Sequence, residues 1–435
     1  MRNAFAFASR SVGAGSGSDQ SQVRAASPST LFFLFALTGI VLIYIYYEFD
    51  VRLISWPLEV SRFPAFRDFS NLWVGAVDAI NHRFDLLFEE KVHIAEVGRR
   101  LGIPPPFLIW SYPPTALVPL LPFGLLPFGI AAALWTAVGV AAYVCAAGLR
   151  DVPPRDRVTW LAALALCPGV FVCAAYGQTA FLTSAATIIG LLQANRRPMI
   201  AGACFALLAA KPQMALVIPV VLLAMQAWRA IAYSALFASL FVATTIVLFG
   251  FEPWKFFVEI TLPNQMQIMN MTSFNAVLMS SPYFMLRGFG VSASVSYHLQ
   301  ILIAVAAMAW LYAGLRCERD RNLQIVMVAC ATLLASAYMR TYEIPLLAAA
   351  VARICASEDG AARYGRGLLC GLIISVTAAP LIAWLAALVF KINVMSLIPL
   401  VILAILGVRA IFQDAPIAKL SAVVGRDRSE NRAPI

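Results

Sequence analysis

SYPPTALVPLLPFGLLPFGIAAALWTAVGVAAYVCAAGL, residues 111–149, decides how this chain is threaded. Its second half is an apolar run. Its first half carries prolines at 113, 114, 119 and 122. Proline removes a backbone donor and its ring clashes with the preceding turn, so that half is no ordinary straight helix. The region from Phe107 to Leu149 therefore reads as a broken lead-in followed by one full membrane span. Counted as one net crossing, it lets the basic stretches along the chain alternate correctly between two faces. Two crossings would break the alternation.

The surrounding composition demands a membrane. Of 435 residues, 61% are hydrophobic and 12% charged, and the mean hydropathy is +0.81. Soluble domains carry about 25% charged residues. A transmembrane helix takes about 20 mostly apolar residues. The chain has room for about twelve such helices (range 10–13) plus one sizeable loop, and the fold class is an all-α polytopic membrane protein.

The net charge of +10 does not indicate nucleic acid, because the basic residues form no dense patch. They sit in short stretches between apolar runs: Arg155 and Arg157; Arg196 and Arg197; Arg316, Arg319 and Arg321; Arg363 and Arg366. Such stretches read as cytoplasmic loops. Residues 1–28 and 413–435 read as cytoplasmic tails flanking a membrane domain over 29–412. Leu31 to Tyr47 is the first span, with Arg2, Arg10 and Arg24 holding the N-terminus inside. Further spans fall near 158–175, 176–194, 198–211, 212–227, 230–250, 291–315, 322–339, 344–356, 367–389 and 394–412. The eight cysteines contain no CxxC pair and read as small buried hydrophobes. No metal is expected, since the histidines complete no ligand cluster and the carboxylates of the first loop lack ligand spacing. No nucleotide-binding motif and no internal repeat are visible.

Two outer loops remain, 48–106 and 251–290. The first holds nine of the 22 acidic residues. Within it Phe69, Leu72, Trp73, Ala76, Val77 and Ile80 recur at helical spacing. That predicts an amphipathic helix lying on the membrane surface with Asp68 at its N-cap. A second helix is expected over 86–100. The other loop is too polar to span, and Phe256, Phe257, Ile260 and Leu262 are placed to anchor it at the interface.

Ionisable groups at membrane depth are costly and therefore informative. Asp68 reads either as a plain cap or as a general base beside the membrane. Trp73, read as one turn beyond Asp68 on the same helix face, suits a sugar ring or the membrane interface. Lys211 lies at a proline break, where it can hold a phosphate or snorkel to the surface. Arg340 and Glu343 either clamp each other, or Arg340 contacts phosphate while Glu343 orients it. Gln178, beside Gly177, either bonds substrate or caps a helix. His298 is expected to be a satisfied core histidine. If the leaving group is a lipid phosphate, no general acid is required. One carboxylate with one or two cations then suffices, and Asp68, Lys211 and Arg340 supply them.

At this point the order of motifs resembles glycosyltransferase family 87, polytopic C-type enzymes that include polyprenyl-phosphate-mannose-dependent mannosyltransferases. The matching pieces are RDFSNLWVGA, SYPPTALVPLLPFGLLP, YGQTAFLTSAATIIGLLQANRRPMIAGACFALLAAKPQ and SAYMRTYEIPLLAAA. The resemblance implies a polyprenyl-phosphate sugar as co-substrate, no cofactor, and chemistry on the periplasmic face of a bacterial inner membrane. It also implies a lipid or glycan hydroxyl as acceptor and a base at Asp68. The family's Gly-Gln falls on Gly177 and Gln178, and its Lys-Pro on Lys211 and Pro212. Its late Ser-Pro-His and Tyr-Asp are here Ser336-Ala337-Tyr338 and Tyr342-Glu343. If the family's histidine touches donor phosphate, Tyr338 or Arg340 takes that place. The rival readings are a flippase for a lipid-linked sugar and a non-catalytic scaffold of envelope-polysaccharide assembly.

Overall fold

The structure, a computed structural model, describes residues 66–103, 108–270, 279–357 and 363–412, together with Leu37 and Gly39. The expected tails lie outside the described residues, as does the first span apart from those two positions. The described residues are helical, with a single isolated bridge between Met279 and Arg340.

The first loop forms α1 (Arg67–Ile80), α2 (Phe84–Phe88) and α3 (Glu90–Leu101). The proline-rich lead-in becomes a 3-10 turn at Pro114–Ala116 and a short helix, α4 (Leu117–Gly124), before α5 (Phe128–Ala146). This is the broken lead-in and full helix that the prolines predict. Next come α6 (Arg157–Ala165) and α7 (Pro168–Tyr176), then α8 (Ala180–Gln193), α9 (Pro198–Leu207), α10 (Ile218–Ala224) and α11 (Trp228–Phe249). The second loop region supplies α12 (Glu252–Phe256) and α13 (Leu262–Asn270), joined by a π-helical turn. The chain continues through α14 (Pro282–Gly288), α15 (Ala293–Cys317), α16 (Arg321–Ala335) and α17 (Pro345–Cys355). It closes with α18 (Arg366–Val376), α19 (Ala378–Phe390) and α20 (Leu397–Phe412).

Among the described residues three helices, α5, α11 and α15, are long and apolar enough to cross a membrane alone. Two pairs raise that to five if each is one span: α6 with α7, bent by 69°, and α18 with α19, bent by 42°. The expected twelve separate full-length spans are therefore not what the described residues present. The intervening apolar runs fold as helices of ten to seventeen residues, which hydropathy alone does not distinguish from full spans. α11 buries only Ala230, Thr245 and Phe249. A helix that exposes apolar residues on nearly every side suits lipid as its solvent.

α1 is the opposite case, and it corrects the expectation of a surface helix. Phe69, Leu72, Val74 and Ala76 are fully buried, and so is Asp78. A Cβ on Gly124 would come within 2.9 Å of Ala76, which shows how closely α4 lies on α1. Buried Asp78 is held by Arg83 at 2.8 Å and Arg100 at 3.0 Å, tying α1 to α3. Removing one partner of such a buried pair leaves an uncompensated charge, at a cost of about 3–5 kcal/mol. The expected helix over 86–100 is two helices, broken at the extended Glu89. Phe256, Phe257 and Ile260 of the second loop pack onto the same aromatic cluster as α1 and α2. They anchor that loop to protein as well as to any interface. All eight cysteines are free thiols, and Cys145 and Cys317 are exposed.

Candidate active site

A cavity of about 430 Å³ opens where α1, α8, α17 and the break after α9 converge. It gathers Asp68, Gln178, Lys211, Tyr338, Arg340 and Glu343, all of them singled out in the sequence. Residues 110 and 132 positions apart in the chain meet there by hydrogen bonds.

Asp68 arrives through the docking of two helix ends, the start of α1 on the end of α7. Phe66, not Asp68, is the N-cap of α1; it adopts a left-handed conformation and no side chain caps the helix. The Phe66 N–H donates to the Ala175 carbonyl at 2.9 Å, near the end of α7. Gly177 follows with φ +66°, and a Cβ there would meet Phe69 Cβ at 2.6 Å. Both the left-handed backbone and the close approach call for glycine. The Trp135 indole N–H donates to the Gly177 carbonyl at 2.9 Å, fixing the turn. The next residue, Gln178, donates its Nε2–H to Asp68 Oδ2. Gln178 is thus neither a simple cap nor free for substrate through that amide. It orients the carboxylate, while its Oε1 accepts from the Thr179 N–H at 3.3 Å.

Lys211 sits where α9 and its 3-10 extension end, ahead of Pro212. It is 5% exposed, so it does not snorkel. Its Nζ pairs with Glu343 and reaches Thr179 Oγ1 at 3.3 Å. It also lies 5.4 Å from the centre of the Tyr342 ring. This corrects the expected Arg340–Glu343 clamp: Glu343 pairs with a lysine from a different helix break. The other Glu343 oxygen, Oε2, is buried without a partner.

Arg340 and Tyr338 stand on an extended segment held against residues 279–281. Ser280 N–H donates to Met339 O at 2.6 Å, and Ser281 Oγ donates to Ala337 O at 2.6 Å. Arg340 Nε lies 3.2 Å from Met279 Sδ, and no carboxylate among the described residues is within ion-pair distance. The lining carries three cations (Arg67, Lys211, Arg340) and two carboxylates (Asp68, Glu343), a formal excess of one positive charge. A mostly apolar wall comes from the helical second loop: Phe257, Leu262 and Met269, with Gln265 as its polar member.

Trp73 is not brought to the cavity. A five-residue offset rotates a side chain by about 140° around a helix, away from Asp68. Its indole donates to Leu126 O at 3.0 Å and its ring packs edge-on to Phe128. Asn71, three residues after Asp68, does face the cavity. It is held by Ile109 O at 3.1 Å and by His93. That spacing was the available signal. Arg67 and Tyr112 also line the cavity; both stood inside quoted motifs without being singled out. His298 is exposed rather than a core histidine, and bonds Ser294 O at 2.7 Å. The buried histidine is His93, whose pKa burial lowers to about 4 against the opposing pull of Glu96. Among the described residues no three His, Cys, Asp or Glu side chains gather as a metal site.

Apolar helices that expose their surfaces around a charged cavity define a membrane protein with a polar site. The sequence profile of glycosyltransferase family 87 matches residues 110–339, and the chain belongs to that family of glycosyltransferases. No curated protein and no solved structure matches the chain.

Proposed function

We propose that the protein transfers a mannose-like sugar from a polyprenyl-phosphate donor to a lipid or glycan hydroxyl, on the periplasmic face of a bacterial inner membrane. The observation that carries this reading is the single cavity in which Asp68, Lys211 and Arg340 meet an apolar wall. The wall of Phe257, Leu262 and Met269 suits a prenyl chain, and the cations suit its phosphate. Asp68, oriented by Gln178, takes the proton of the acceptor hydroxyl as that oxygen bonds to the sugar C1. The bond from C1 to the phosphate oxygen breaks, and polyprenyl phosphate leaves with one more negative charge than the donor carried. Arg340 and Lys211 stabilise that developing charge, which is where fixed electrostatics contribute most. Glu343 holds Lys211 in place, and Tyr338 stands beside the phosphate path.

A lipid phosphate is a competent leaving group without protonation. The site accordingly needs one carboxylate for proton transfer, whereas hydrolytic glycosidases use two. The test is a transfer assay on purified protein in lipid, offering short-chain polyprenyl-phosphate sugars and, separately, nucleotide sugars. Transfer from the polyprenyl-phosphate donors alone supports the reading. Transfer from nucleotide sugars alone would overturn the donor assignment.

A further inference from the structure

A second cavity, of about 290 Å³, lies at the far ends of the helices that lead to the first. α8 begins beside Gln178 and ends three residues before Arg196. α16 begins at Arg321 and ends just before Tyr338. α17 begins after Glu343 and carries Arg353 in its last turn. At 1.5 Å per residue these helices separate the two cavities by about 16–22 Å. The three helices pack on one another, so the cavities share a rigid connection.

Five arginines line this second cavity (Arg196, Arg319, Arg321, Arg353 and Arg363) against one carboxylate, Asp320. Asp320 is already engaged. Its Oδ1 caps α16 by accepting from Asn322 N–H at 2.8 Å, and its Oδ2 takes Arg363 at 2.7 Å and the Tyr364 hydroxyl at 2.9 Å. Arg353 is fixed by Ala146 O at 3.0 Å, with Asp151 at 3.7 Å. The Glu318 carboxylate is turned to the Asp320 N–H at 2.7 Å. Arg196, Arg319 and Arg321 therefore have no carboxylate within ion-pair distance among the described residues. Arg321 instead donates to Gln324 Oε1 at 2.8 Å.

Gathering like charges from separate chain segments is unfavourable unless an anion neutralises them. Guanidinium forks match phosphate oxygens in pairs. Basic pockets between membrane helices suit anionic headgroups. We propose that this cavity binds a phosphate-bearing anion, supplied by the headgroup of an anionic lipid in the leaflet opposite the catalytic cavity. The site rests on these arginines and not on the glycosyl-transfer reading.

The test uses the full-length protein in nanodiscs of phosphatidylcholine, with and without phosphatidylglycerol, and a separate arm with inorganic phosphate added to phosphatidylcholine discs. Arg196→Gln/Arg319→Gln removes two exposed cations that hold nothing else in place. Its unfolding midpoint in pure phosphatidylcholine checks that it folds. Arg150→Gln/Arg155→Gln, outside the cavity, matches the charge change. The expected result is a rise in unfolding temperature with phosphatidylglycerol. That rise survives in the control pair and is lost in the cavity pair. A rise with inorganic phosphate alone would retain the phosphate site but overturn the lipid source. No rise in either arm, or a rise that persists in the cavity pair, would overturn the proposal.

Discussion

At one end of α8, α16 and α17 three cations face two carboxylates; at the other, five arginines face one aspartate. The cavity of mixed sign engages its charges across long chain separations, Lys211 by an ion pair with Glu343 and Asp68 by a hydrogen bond from Gln178. The second cavity leaves three guanidiniums without a carboxylate within ion-pair distance among the described residues. The difference separates two uses of charge. A reaction that creates negative charge needs cations held ready but balanced in the resting state. A site that retains an anion needs only an excess of one sign. α8, α16 and α17 join the two, and most of their residues are buried.

The contrast is broken most sharply at Asp68. Asp68→Asn keeps the shape and the contact with Gln178 but removes the base. Loss of a positioned base costs about 10²–10⁴-fold, and a drop of that size in transfer rate is expected with unchanged expression. Next in size is Lys211→Met. It strands the buried Glu343 carboxylate, and breaking a buried pair costs about 3–5 kcal/mol. Thermal unfolding in detergent should show that loss. Lys211→Met/Glu343→Gln should recover most of the stability but not the transfer, because the balanced charge is restored while the cation is gone.

Gly177→Ala tests whether the docking of α1 on α7 delivers Asp68. The left-handed backbone alone costs about 1–2 kcal/mol, and Phe69 must also move. A lower unfolding midpoint together with a slower transfer rate is expected. An unchanged rate would separate the turn from the site.

The smallest effect concerns His93, behind Asn71. Its folded pKa of about 4 lies below its ordinary value of 6.5. Between those values the unfolded chain binds the proton and the folded one does not. Stability from this group is therefore complete above pH 6.5 and declines as pH falls toward 4. Linkage gives about 1 kcal/mol lost between pH 7 and 5.5. His93→Gln should lose less stability over that interval than the wild type, measured by denaturant unfolding at both pH values.

Much of the fold was legible from apolar runs and prolines. α5, α11 and α15 lie where those runs predict them, and the broken lead-in over Pro114–Gly124 follows from its prolines. The number of crossings was not legible. A run of fourteen mostly apolar residues looks alike whether it faces lipid or protein, and α8 buries ten of its residues. Asp68, Lys211, Arg340 and Glu343 were conspicuous as charges in an apolar chain, and the fold brings them to one cavity, while Arg67, Asn71 and Tyr112 of its lining went unremarked. The pairing of those charges was not legible: only the fold brings Glu343 to Lys211 instead of Arg340. Trp73 failed because proximity in sequence was read as a shared helix face. His298, expected in the core, is exposed, while His93 is buried, because burial of α3 depends on packing from α1 that no local pattern encodes.

The most direct test of the central claim separates donor binding from chemistry in one sample. Asp68→Asn in lipid would be given a short-chain polyprenyl-phosphate sugar and acceptor lipid, with bound donor, transferred sugar and released polyprenyl phosphate all followed in a single turnover. The account predicts donor binding at wild-type affinity with almost no transfer and no release. Transfer at the wild-type rate would contradict the assignment of Asp68 as the base.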